Sequence, residues 1–129
     1  MSKVELFAHQ QVWAFAENFP DEFASYGCGP GGWGDRLVPD TVYGLSIKPA
    51  CQIHDTYYRH WPDSSEQARN MIDRIFKNNM IRIVDYYTSV GWLRWLRRRR
   101  CIKYYKMVKN FGGPAFYGER NEDNQMQEV

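Results

Sequence analysis

Apolar residues recur at helical spacing along most of the chain. Between residues 3 and 18 they fall at Val4, Phe7, Ala8, Val12 and Phe15, which predicts an amphipathic helix stopping near Pro20. Residues 26–44 (YGCGPGGWGDRLVPDTVYG) hold six glycines and two prolines and predict a loop with no regular element. The next helix is expected from Lys48 and Pro49, with proline tolerated in the first turn, to about His60. Its inward stripe is Ile47, Cys51, His54 and Tyr58. A turn follows at WPDSSEQ, where Ser64 and Gln67 have the form of a capping box. The most periodic stretch is 65–88, with Ile72, Ile75, Phe76, Asn79, Met80, Ile83 and Tyr87 on one side and Gly91 as its breaker. A last helix is expected to run to about Asn110 and to end at Gly112, Gly113 and Pro114. No strand pattern competes. The prediction is an all-α fold with two antiparallel core helices and one long glycine-rich loop.

Two polar groups interrupt the apolar stripes of those core helices. His54 lies inward on the first, and Asp73 opens the stripe Asp73, Phe76, Met80, Ile83, Tyr87 on the second. A short turn between the helices makes them antiparallel neighbours, so an imidazole and a carboxylate face each other. A carboxylate bonded to one ring nitrogen fixes the tautomer and leaves the other as a base. Asp85 is the rival carboxylate; it stands about 120° around the helix from Asp73 and is expected to face solvent.

Asp55 points about 100° away from His54 and therefore meets a different partner. The loop sequence CGPGGWG can turn several main-chain carbonyls toward one point, because glycine accepts the dihedrals this needs. Carbonyls plus a carboxylate form the hard oxygen set that calcium prefers. A general base beside such a cation suits ester hydrolysis, the base activating water and the cation stabilising the oxyanion.

These residues carry a family resemblance. YGCGPGG at 26–32 followed by CQIHDTYY at 51–58 resembles the phospholipases A2, and most of all their small prokaryotic and phage-like members. The resemblance spans roughly residues 26–80. It implies that His54 is the catalytic base, that Tyr58 supports the orienting aspartate, and that Asp73, in the IDRIF context, is that aspartate. It further implies calcium held by Asp55 and the carbonyls of Gly27, Gly29 and Gly31, with Asp35 as a rival ligand, and a Cys28–Cys51 disulfide. By the same analogy Phe7, Trp13 or Phe15 would line an acyl channel. The chain departs from the animal enzymes in allowing one disulfide at most and in having Ala50 where many carry a second adjacent cysteine.

Charge adds a second theme. The chain has 129 residues, with 17 lysines and arginines against 15 acids, but residues 94–109 (RWLRRRRCIKYYKMVK) hold eight of those cations and no acid. Four consecutive arginines sweep about 300° of a helix, so the helix must break there or that turn must stand clear of the core. Trp92 and Trp95 with Arg97, Arg98, Arg99 and Arg100 suit an anionic membrane surface, and equally a nucleic-acid backbone. The second functional expectation is therefore a phospholipase-like scaffold without turnover, holding nucleic acid or a protein partner through this stripe. Residues 1–118 are read as one helical domain and 119–129 as an acidic, flexible tail.

Other chemistries are excluded more readily. No Gly-Lys-Ser/Thr follows the glycine-rich loop, so it is no P-loop. Cys51, His54 and His60 lack a fourth zinc ligand, His9 and His60 are expected to be surface or half-buried, and Cys101 to be a packed free thiol. Neither a signal peptide nor a membrane span is recognisable, so a protein made in the cytoplasm and leaving by lysis or a signal-independent route is expected.

Overall fold

The N-terminal segment is held extended before it turns helical. The computed structural model describes residues 4–27, 38–113 and 116. In it α1 spans Gln10–Asn18, while residues 4–9 remain non-helical. The cause lies 72 residues away: the Asn79 side chain accepts from the Phe7 N–H (2.7 Å) and donates to the Phe7 carbonyl (2.8 Å). That pair pins an extended backbone, and His9 Nδ1 then caps α1 by accepting from Gln11 N–H. Replacing Asn79 with alanine removes both bonds; a loss of about 2 kcal/mol is expected, measured as a lower urea midpoint with unchanged slope.

A short α2 (Pro20–Ser25) follows, and then a feature the glycine and proline content argued against. Residues Thr41–Val42 (β1) and Leu45–Ser46 (β2) pair antiparallel, Thr41 opposite Ser46 and Val42 opposite Leu45. The turn is Tyr43 and Gly44, with φ of 44° and 81°, as a two-residue hairpin with the strands' own twist requires. A tyrosine in the left-handed region costs roughly 1–2 kcal/mol. The tyrosine is fastened there by Arg97, which donates to its carbonyl (2.9 Å), and by Arg100, which donates to its hydroxyl (2.9 Å).

α3 (Lys48–His60), α4 (Glu66–Tyr87) and α5 (Gly91–Phe111) make the body of an all-α fold. α3 is buried on nearly every side, and α4 packs against both α3 and α5. One apolar cluster gathers Val42, Ile47, Phe76, Met80, Ile83 and Val108 between the hairpin and the three long helices. A second joins Val12, Tyr57, Tyr58, Ile72 and Phe116 at the other end. The cap of α4 is Ser65, which accepts from Ala68 N–H, and not Ser64. Tyr87 is exposed, where the stripe placed it inward. Among the described residues no helix is long and apolar enough to cross a membrane.

The arginine run neither breaks α5 nor stands clear of the core. Arg97 turns inward and donates to Thr88 Oγ1 (2.9 Å) as well as to the hairpin, and Arg94 joins it by binding the Thr88 carbonyl. Two of the stripe's cations thus satisfy the end of α4. Arg98 pairs with the exposed Asp85 (3.2 Å). Cys101 is a buried free thiol whose pKa burial pushes up to about 12, so it stays protonated and inert.

Candidate active site

α3 presents its chemistry in two directions. On the α4 side, His54 is buried between the rings of Tyr58 (4.3 Å) and Phe76 (4.4 Å). Its Nε2 lies 2.9 Å from Asp73 Oδ1, and the Tyr58 hydroxyl donates to the same oxygen at 2.6 Å. An ionised carboxylate only accepts, so the ring proton sits on Nε2 and the lone pair on Nδ1. Arg69, one turn before Asp73, adds a guanidinium 3.9 Å from Asp73 Oδ2 and donates to Tyr58 Oη at 3.4 Å. Its other nitrogen donates to the carbonyls of Val108 (2.8 Å) and Lys109 (2.7 Å) at the end of α5. Burial, and then the Asp73 charge, pushes the Tyr58 hydroxyl far above its ordinary value, so it remains a proton donor.

Burial lowers the His54 pKa below 6.5, outweighing the Asp73 hydrogen bond and charge that raise it; Arg69 lowers it further. Two effects of pH follow. The ring stays neutral, and able to accept a proton, at pH values where an exposed histidine is charged. Below pH 6.5 the unfolded chain binds a proton that the folded one refuses, so stability falls as pH drops from 6.5 toward the folded pKa. An NMR titration of the ring carbon protons is expected to show His54 with a midpoint below 6.5.

On the other side, Asp55 is fully buried and its Oδ1 accepts from Arg59 at 3.0 Å. The Arg59 guanidinium lies over the Tyr26 ring (4.9 Å), and the Asp55 charge helps to raise the Tyr26 pKa, behind burial and Glu22. Asp55 therefore faces the end of α2 and the start of the glycine-rich loop. Gln52, one turn earlier, ties α3 to the same segment through the Phe23 and Ala24 carbonyls. Gly27, next after Tyr26, is buried. A buried carboxylate is a hard oxygen ligand of the kind calcium takes. Among the described residues no group of three or more His, Cys, Asp or Glu can hold a metal, and a cation at Asp55 competes with Arg59. Gly29, Gly31 and Asp35 lie outside the described residues. So does Cys28, the expected partner of Cys51; Cys51 itself is disulfide-bonded.

Two residues of this region carried no weight in the sequence. His60 is buried, not at the surface: Nε2 sits 2.8 Å from the Tyr26 hydroxyl and the ring packs on Phe15 (4.6 Å). Nothing in the spacing distinguishes it. Arg69 was discoverable, since it stands four residues before Asp73 on one helix. Of the three aromatics placed in an acyl channel, Phe15 packs on Phe19, Tyr26 and His60, whereas Phe7 and Trp13 are exposed. Trp92, Trp95, Arg98 and Arg99 are exposed on α5; Arg97 and Arg100 are half-buried against the hairpin.

Compared with models of known protein families, with curated proteins and with solved structures, the chain has no match.

Proposed function

We propose that the chain hydrolyses the sn-2 ester of glycerophospholipids in a calcium-dependent reaction of the phospholipase A2 type. The supporting observation is that α3 offers a buried imidazole to Asp73 and Tyr58 on one side and a buried carboxylate toward the loop on the other. His54 Nδ1 takes a proton from water as the water oxygen attacks the ester carbonyl, and gives it to the departing alcohol oxygen. Asp73 holds the ring in the required tautomer and stabilises the imidazolium between those two transfers. Tyr58 fixes Asp73 Oδ1, and the burial of His54 and Asp73, with the Phe76 ring packed on the imidazole, keeps bulk water from the pair. Asp55 and main-chain oxygens beginning at Gly27 would hold calcium, which when bound supplies polarisation of the ester carbonyl and stabilisation of the oxyanion.

The test is calorimetric titration of the metal-free protein with calcium, alongside lysolipid release from phosphatidylcholine vesicles with calcium or with chelator. Binding and turnover are expected for the wild type, neither for Asp55→Asn, and tighter binding for Arg59→Gln, which removes the competing cation. A folded wild type that neither binds calcium nor releases lysolipid refutes the reading.

A further inference from the structure

Beyond the inward-turned Arg94 and Arg97, α5 carries six more cations, and four of them gather at one place. Between α5 and the hairpin turn lies an open pocket of about 470 Å³, walled by Arg99, Arg100, Lys103 and Lys106 with Leu96 and Ile102 as its apolar part and Tyr43 across the opening. Among the described residues no carboxylate pairs with any of these four cations. Arg99 and Lys103 stand at i,i+4, and Lys103 and Lys106 at i,i+3, where like charges repel. Nothing in the described fold relieves that repulsion; a polyanionic surface does. Tyr43 is the second sign. It is kept in the left-handed conformation, and its ring and hydroxyl hold Arg100 at the pocket's edge (5.0 Å to the centroid).

The same face of α5 decides which anion. Trp92, Trp95, Arg99, Ile102 and Lys106 follow one another at spacings of three and four and form a single stripe. Trp92 is 66% exposed and Trp95 58%, with Arg99 stacked on the Trp95 ring (5.2 Å). Val90, at the turn before α5, is exposed as well. Indoles settle at headgroup depth, aliphatic side chains reach the acyl boundary, and cations behind them meet phosphates. A nucleic-acid backbone uses the cations but gains nothing from Val90 and Ile102.

We propose that this pocket and stripe dock the protein on an anionic phospholipid surface, with the tip at residues 90–95 inserted and a lipid phosphate held among Arg99, Arg100, Lys103 and Lys106. The proposal rests on the phospholipid reading for its choice of ligand. It is measured by binding, so hydrolysis and docking can fail separately.

The experiment is flotation of the full chain, in chelator so that no calcium-dependent turnover occurs, with vesicles of pure phosphatidylcholine and of phosphatidylcholine mixed with phosphatidylserine. The expected result is binding to the mixed vesicles alone, weakened by salt. The pair Arg99→Gln/Lys103→Gln is expected to bind about 30-fold more weakly, at roughly fivefold per lost cation. Trp95→Ala should weaken binding with the salt dependence retained. Arg98→Gln, which removes one charge outside the pocket, should bind nearly as the wild type does and lose less than the roughly fivefold expected of either pocket cation alone. All four replaced side chains are exposed or half-exposed, and circular dichroism verifies their folding. Equal binding to both vesicle types, or equal loss in Arg98→Gln and the pocket pair, overturns the proposal. So does competition by millimolar inorganic phosphate, which would make the ligand a soluble phosphate. Tighter binding to a DNA oligonucleotide, lost in the same pair, would replace the lipid with nucleic acid.

Discussion

Asp73→Ala is expected to be the most destabilising single substitution in the site, at about 3–5 kcal/mol. Asp73 is buried and is the hydrogen-bond acceptor shared by His54 Nε2 and the Tyr58 hydroxyl, with the Arg69 charge alongside. Truncation leaves two buried donors without that acceptor and one guanidinium without its counter-charge. For a domain of this size the loss is a fall in Tm of roughly 10–20 °C. Asp73→Asn keeps an acceptor oxygen and the volume, so a clearly smaller fall is expected. Chemical denaturation of the two variants side by side separates lost acceptance from lost packing; equal losses would refute the shared-acceptor account.

His54→Gln is expected to lower lysolipid release by about 10²–10⁴-fold, the ordinary contribution of a general base. Glutamine is chosen because its amide can still donate toward Asp73, so stability should change much less than in Asp73→Ala. Calcium binding should survive, because Asp55 lies on another face of α3. Residual activity at the wild-type level in a folded, calcium-binding His54→Gln protein would remove the imidazole from the mechanism. The wild type's acid limb should fall below pH 6.5, since burial holds the neutral ring.

The core helices were legible because each carries its own signals. Lys48–Pro49 opens α3 at the expected residue, and the 3.6-residue stripes select His54 and Asp73 as facing groups. The errors have physical causes that lie elsewhere in the chain. α1 starts late because Asn79 claims the Phe7 backbone. The α4 cap shifts by one residue because Asp63 accepts from Ser65 N–H and turns the chain there. The hairpin was hidden because its turn carries tyrosine where asparagine or aspartate usually stands. Its conformation is sustained by arginines more than fifty residues later. Those arginines were themselves read as one surface, since nothing in a run of four marks the one that folds inward.

The dyad closes between residues 54 and 73, yet the shortest chain able to hold it is much longer. Arg69, beside the dyad, spends its second nitrogen on the last carbonyls of α5, at Val108 and Lys109. A side-chain carbon at Gly112 would come within 2.5 Å of the Val108 oxygen and 3.1 Å of the Tyr58 hydroxyl, so the main chain there forms part of the wall around Tyr58. A stop codon placed anywhere in α5 therefore removes support from a site encoded some forty residues upstream. In a screen of nested C-terminal deletions, the boundary of tolerance is expected to fall after α5.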